Sequence, residues 1–237
     1  MKKILSAMRR GVQDYNMIAE DDKIAVGISG GKDSLALLCA LANYRKFSDV
    51  SFDIIGITID MGFEGMDFGP VKKLCEEIGV EYHIKKTEIS EILKIREEKN
   101  PCSLCARMRR GALNDLAKEL GCSRVALGHH NEDVIETFFL SLFYEGRLSS
   151  FSPVTYLSRA DLYVIRPFIY VEEADIRGYA RRSELPVVKN LCPMDGVSKR
   201  QDMKDFINEK SKDDKFFKSR MMNAIQTGLE DWKLLEE

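Results

Sequence analysis

Long hydrophobic runs are missing from this 237-residue chain. No apolar stretch reaches the roughly 18 to 20 residues that cross a bilayer, which excludes a membrane-spanning helix. A small-residue cleavage site is missing too: the N-terminus, MKKILSAMRRGVQDYN, reads as a helix rather than a signal peptide, so a cytoplasmic location is expected. Excess charge of one sign is absent, since the formal net charge is -2. That leaves no whole-chain basic field of the kind that holds nucleic acid non-specifically. Local basic clusters (Arg107, Arg109 and Arg110; Arg177, Arg181 and Arg182; Lys199 and Arg200) read either as solvated helix faces or as local contact points. Internal repeats and low-complexity segments are also absent. What is present is ordinary for a globular protein, with 44% hydrophobic and 31% charged residues, and length for one sizeable core or one core with an appendage.

Apolar β-rich runs alternate with helical stretches. Strands are expected at Lys23–Ile28, Phe52–Ile59, Val80–Lys85, Arg124–Leu127 and Leu162–Arg166, with a last short one at Pro186–Val188. Helices are expected at Ser34–Tyr44, Pro70–Ile78, Gly111–Leu120, Val134–Tyr144 and Val171–Arg182, and from Gln201 to an acidic end. This alternation implies an α/β fold: a doubly wound parallel sheet of about five strands with helices on both faces and a short helical C-terminal tail. The expected organisation is an N-terminal helical segment over 1–22, a nucleotide-binding catalytic domain over 23–200 and the tail over 201–237. Ligands of such sheets sit at the carboxyl ends of the strands, here the loops Ser29–Ser34, Asp60–Gly65 and Gly128–Asp133.

The first of these loops reads Ser29-Gly30-Gly31-Lys32-Asp33-Ser34 and runs into the apolar helix LALLCALA. Its glycines let the backbone turn tightly and aim N–H groups at an anion, to which the helix N-terminus adds its dipole. Lys32 supplies a point charge, and Asp33 suits a phosphate site when Mg²⁺ lies between them. An Asp after the Lys excludes a Walker A loop. The hexapeptide resembles the PP-loop of ATP pyrophosphatases of the adenine nucleotide alpha hydrolase-like fold, which cleave ATP between the α and β phosphates. The resemblance implies that Ser29, Gly30, Gly31 and Ser34 cradle pyrophosphate, that Lys32 stabilises it as it leaves, and that Asp33 helps hold Mg²⁺.

At the second strand end, Asp60 suits either a ribose or adenine contact or a turn cap. At the third, Gly128-His129-His130-Asn131-Glu132-Asp133 is similar to a segment that lines the ATP site in PP-loop enzymes. Gly128 and His129 are therefore candidates for nucleotide contact. Glu132 and Asp133 read as Mg²⁺ ligands or as helix-capping acids, with a functional role favoured for His129 and Asp133. The spacing does not match H-E-x-x-H, so zinc is not the expectation here.

The chain has six cysteines. Cys39, Cys75 and Cys122 sit on or beside apolar helices and read as small buried hydrophobes. Cys102 and Cys105 form a C-x-x-C, and Cys192 lies in Lys189–Pro193, outside the apparent core. Three thiolates suit an iron–sulfur cluster with one open iron better than a structural zinc, which four ligands normally close.

Together SGGKDS at 29–34, CSLCARMRRG at 102–111, ALGHHNEDVIETFFLSLFY at 126–144, VIRPF at 164–168 and RQDMKDFI at 200–207 resemble the tRNA 2-thiocytidine synthetase (TtcA) family from about Tyr15 to Phe206. The resemblance implies an ATP-dependent tRNA sulfurtransferase: it adenylates cytidine 32 of the anticodon loop and replaces its O2 by sulfur through a [4Fe–4S] cluster. It implies Cys102, Cys105 and Cys192 as cluster ligands, Lys32, Asp33, Asp133 and Arg166 at the reacting centre, and ATP and Mg²⁺ as cofactors. tRNA and a cysteine desulfurase are the implied partners. In so compact a chain the tRNA-docking surface is either reduced or supplied by a second subunit, which makes a homodimer one expectation. Lys189 stands where relatives often carry another cysteine. The competing expectations are a 2-thiouridine synthetase, a lysidine synthetase, and an ATP- and cluster-binding protein without tRNA catalysis. The first usually carries paired C-x-x-C/H zinc fingers, which this sequence lacks, and the second needs no cluster.

Overall fold

The computed structural model describes residues 1–96, 101–189, 191–192 and 199–234. Asn190, Pro193 and the acidic end, Glu236 and Glu237, lie outside them. The strands are β1 (Asp22–Gly27), β2 (Phe52–Asp60), β3 (Glu81–Lys86), β4 (Arg124–Ala126), β5 (Val154–Leu157) and β6 (Leu162–Ile165). The helices are α1 (Lys2–Asp14), α2 (Lys32–Tyr44), α3 (Gly69–Glu77), α4 (Ile89–Ile95), α5 (Pro101–Glu119), α6 (Asn131–Leu140), α7 (Glu173–Arg182), α8 (Lys199–Asp213) and α9 (Phe217–Gly228).

The strands form one sheet in the order β3-β2-β1-β4-β6-β5, parallel except for the β5–β6 pair. Chain order runs outward from β1 to β3, then returns to place β4 on the other side of β1. The crevice between the ends of β1 and β4 is therefore the topological switch point, where such sheets bind ligands. Buried side chains cover both faces of β1: Ile24 and Val26 belong to one core, Ala25 to the other. The larger core takes in α2, whose residues from Leu35 to Ala42 are at most 4% exposed. Each fully buried leucine there stabilises the fold by about 1.5–3 kcal/mol relative to exposure. This burial holds the α2 N-terminus rigidly at the end of β1.

The sheet has one strand more than the five whose expected ranges it contains. β5 is the extra one, a short, half-exposed edge strand that periodicity does not reveal. Pro186–Val188 is not a strand; its Val188 N–H donates to the Gly30 carbonyl at 3.0 Å and clamps the phosphate loop. Helix α5 begins at Pro101 rather than Gly111, so Cys102 and Cys105 lie on its first turns. α6 passes into a π-helical turn, Ser141–Glu145. Helices α8 and α9 pack on α6, and the fully buried Trp232 closes the chain onto Tyr15, whose hydroxyl donates to the Trp232 carbonyl at 3.1 Å. No helix among the described residues is long and apolar enough to cross a membrane.

Candidate active site

A cleft of about 390 Å³ opens at the switch point. Ile28, Ile57, Ile59 and Leu127 form its apolar floor, while Ser29, Asp33, Ser34, Gly128, His129, Asp133 and Arg166 bring polar groups to it. Two loops are pressed together here. A Cβ on Gly128 would stand 3.0 Å from the carbonyl carbon of Asp33 and 3.1 Å from the Ser34 nitrogen, so only glycine lets the β4 loop approach the start of α2 so closely. Gly30 has φ +85, the left-handed region that favours glycine, and a Cβ there would meet the Val188 Cβ at 2.9 Å.

The hydroxyls of the phosphate loop shape the loop itself. Ser34 Oγ donates to the Gly31 carbonyl at 2.9 Å, and Ser29 Oγ accepts from the Gly31 N–H at 3.3 Å. No side chain caps the N-terminus of α2, so its first-turn amides and dipole face the cleft.

Lys32 does not stand alone. Its Nζ lies 3.0 Å from Asp33 Oδ2 and 3.0 Å from Glu173 Oε1. Burial works against its charge, but the two carboxylates outweigh burial and raise its pKa. Glu173 is buried and also meets Lys204 at 3.0 Å and Arg177 at 3.3 Å. Burial opposes its ionisation, yet Lys32 and Lys204 hold its pKa down at about 2. Its N–H donates to Glu132 Oε2 at 2.9 Å, and Lys218 donates to Glu132 Oε1 at 2.7 Å. Burial likewise opposes Glu132, but His130, Lys218 and the Glu173 amide hold it at about 2.

Asp133 accepts the His130 N–H at 3.0 Å on one oxygen and the Arg200 guanidinium at 3.0 Å on the other. Asp33 Oδ1 is buried with no hydrogen-bond partner, an orphaned anionic atom that suits a divalent cation arriving with phosphate. His130, buried among Glu132, Asp133 and Asp33, has its pKa raised although burial alone would lower it. His129 is driven down to about 4 by burial, against the pull of Asp133, and remains neutral at ordinary pH. Burial and Asp133 push Glu136, one turn along α6, up to about 7.

Asp60 does not line the cleft. Its Oδ1 accepts the Gly62 N–H at 3.0 Å, which makes it a turn-shaping residue. Cys105 is half-buried at the rim, its thiol 3.6 Å from Met61 Sδ, and Ala106 and Arg109 beside it line the cleft. Burial raises its pKa; Arg109 lowers it, and Cys192 and Cys102 stand near enough to raise it further. Cys102 and Cys105 thus sit on the first turns of the helix whose Ala106 and Arg109 line the cleft, with Cys192 within electrostatic reach of Cys105. Among the described residues, no three His, Cys, Asp or Glu side chains converge tightly enough for a single metal ion. The cysteine set suits a multi-iron group, in which each thiolate meets its own iron, better than one ion. Cys39, Cys75 and Cys122 are buried in the cores, as expected.

Sequence reasoning missed the carboxylate that holds Lys32 and the lysines that hold the carboxylates. Glu173 lies 141 residues beyond Lys32, and Lys218 lies 86 beyond Glu132, so local pattern is silent on both pairs. Arg200 did carry a signal, since it opens the RQDMKDFI segment.

Residues 3–207 match the model of the PP-loop domain family. A tRNA-cytidine(32) 2-sulfurtransferase of Geobacter sulfurreducens is 38% identical over 94% of this chain and 89% of its own. One of Aliivibrio fischeri is 38% identical over 99% of this chain and 79% of its own. Among solved structures, the U34-tRNA thiolase NcsA from Methanococcus maripaludis with its [4Fe-4S] cluster superposes with a TM-score of 0.75 at 25% identity, covering 94% of this chain and 77% of that one. An NH3-dependent NAD synthetase from Campylobacter jejuni, at a TM-score of 0.50 and 16% identity over 100% of this chain and 96% of that one, shares the fold. The chain belongs to the PP-loop domain family and, within it, to the family of the tRNA-cytidine(32) 2-sulfurtransferases.

Proposed function

We propose that this protein is an ATP-dependent tRNA sulfurtransferase that converts a cytidine of the anticodon loop, at position 32, to 2-thiocytidine. The observation that carries the reading is the one cleft lined both by Ser29, Asp33 and Ser34 of the phosphate loop and by Ala106 and Arg109 of the helix that bears Cys102 and Cys105. Identity of 38% to the cytidine enzymes, against 25% to the uridine thiolase, favours cytidine over uridine.

The apolar floor of Ile28, Ile57, Ile59 and Leu127 takes the adenine. The first-turn amides of α2, with Gly30, Gly31 and the Ser29 and Ser34 hydroxyls around them, take the phosphates. Asp33 and Asp133 meet the accompanying Mg²⁺, Asp33 through Oδ1, which has no hydrogen bond. His129 packs beside the β4 loop as a neutral wall of the nucleotide site. The cytidine O2 attacks the α-phosphorus, the bond to the β-phosphate oxygen breaks, and pyrophosphate leaves against Lys32. Sulfur then bonds to C2, and the C2–O bond breaks to release AMP. Cys102, Cys105 and Cys192 are the residues that would hold a [4Fe–4S] cluster. Bound there, it supplies sulfur to the activated carbon. A cysteine desulfurase is the proposed sulfur source, in the cytoplasm where tRNA is modified.

Because the cytidine oxygen leaves on AMP, the test is an RNA transcript carrying ¹⁸O at cytidine O2. Mass spectrometry of the AMP formed with ATP, sulfide and anaerobically prepared protein finds one ¹⁸O per AMP if the reading is right. Unlabelled AMP contradicts adenylation of the base.

A further inference from the structure

Three cations near the cleft have an acidic partner: Lys32 has Asp33 and Glu173, Arg200 has Asp133, Lys218 has Glu132. The wall opposite the phosphate loop differs. Arg166 is 9% exposed, and its Nη1 donates to the Ser152 carbonyl at 2.6 Å and to Thr155 Oγ1 at 3.1 Å. Neither acceptor is charged. Its Nε is buried with no partner, and its guanidinium lies 5.1 Å over the Phe151 ring. Arg110, from α5, shares the cleft wall with it. The two cations are close enough that Arg110, after burial, holds the Arg166 pKa down at about 10. Among the described residues no carboxylate lies in ion-pair reach of either guanidinium.

Two like charges on one cleft wall, one of them desolvated, are costly unless an anion joins them. A neutral side chain such as glutamine at position 110, which is exposed, would avoid the pairing. The cleft wall is thus built for a ligand that brings negative charge. Guanidinium forks suit phosphate, which they can bind through two parallel N–H···O bonds.

We propose that Arg110 and Arg166 form a second phosphate subsite of the cleft, separate from the phosphate loop. The inference rests on the sulfurtransferase reading and deepens it. The shared chemistry is a phosphate group, which can arrive as an RNA phosphodiester beside the target cytidine or as a phosphate of ATP.

The test measures dissociation constants of Mg·ATP by calorimetry and of an anticodon stem-loop RNA by fluorescence anisotropy, over a series of salt concentrations. The proteins are wild type, Arg110→Gln and Arg166→Lys. Arg110 is exposed, so its variant folds; Arg166→Lys keeps the charge and removes the fork, and thermal unfolding checks its fold. If the phosphate is RNA's, Arg110→Gln weakens RNA binding about tenfold, lowers the salt slope by about one and leaves ATP unchanged. If it is ATP's, the tenfold loss falls on ATP instead. Unchanged affinity for both ligands in both variants overturns the subsite. If wild type binds ATP but no RNA at any salt, the sulfurtransferase reading fails, while the ATP arm still decides the subsite.

Discussion

Lys32 Nζ sits 3.0 Å from Glu173 Oε1, a contact between the first residue of α2 and the first residue of α7. It fixes the phosphate-loop lysine from the opposite side of the α2 N-terminus. Glu173 is in turn tied to α8 by Lys204 and to α6 by Glu132. The C-terminal helices therefore reach the nucleotide site through buried charge.

Replacing Glu173 by Gln removes that brace. Lys32, Lys204 and Arg177 lose a shared buried carboxylate, which costs about 2 kcal/mol of stability. Pyrophosphate release is expected to slow about tenfold in kcat with a smaller change in KM for ATP, because Lys32 acts on charge that develops as the bond breaks. Steady-state pyrophosphate assays with denaturant melts check both.

Gly128→Ala is expected to abolish measurable ATP binding. The added methyl meets the Asp33 backbone at 3.0 Å, so the β4 loop must retreat from the phosphate loop. Overpacking of this kind costs about 1–3 kcal/mol in stability. Calorimetric titration with ATP reads the first effect and thermal unfolding the second.

Stability depends on pH through two groups of carboxylates with opposite sign. Glu132 and Glu173 are held at about 2, below their usual 4.5, so their contribution is complete above pH 4.5 and is lost as pH falls toward 2. Glu136 is raised to about 7, so its contribution is complete below pH 4.5 and is lost as pH rises through 7. Glu136→Gln is therefore expected to raise Tm at pH 8 and leave it nearly unchanged at pH 4.5. Melting curves at the two pH values check the sign.

Arg200→Ala frees Asp133 Oδ1 and removes the cation 3.5 Å from Glu136. Turnover is expected to fall about tenfold while the protein stays folded, since Arg200 is partly exposed. Single-turnover AMP formation, compared with circular dichroism, checks this.

The sheet centre and the phosphate loop were legible because their signals are local. FDIIGITI is a buried strand by composition, and SGGKDS ahead of LALLCALA is a strand–helix anion loop by its glycines. The helix around Cys102 and Cys105 was not legible. CSLCARMRR has no clean apolar stripe, so the expected helix began ten residues late, at Gly111 instead of Pro101. β5 stayed hidden because VTYL is short and half-exposed at a sheet edge. The carboxylates and lysines that brace Lys32 and Glu132 come together only through the return of α7, α8 and α9, which no local pattern encodes. Asp60 reads from its strand-end position as a nucleotide contact or a turn cap, and its Oδ1 accepts the Gly62 N–H.

The most direct test of the account is nucleoside mass spectrometry of tRNA incubated with anaerobically reconstituted protein, ATP and sulfide. The expected product is 2-thiocytidine, dependent on ATP and lost in Cys105→Ala and Cys192→Ala. Formation of 2-thiouridine instead, or of no thiolated nucleoside by protein that carries its full iron and sulfide, would contradict it.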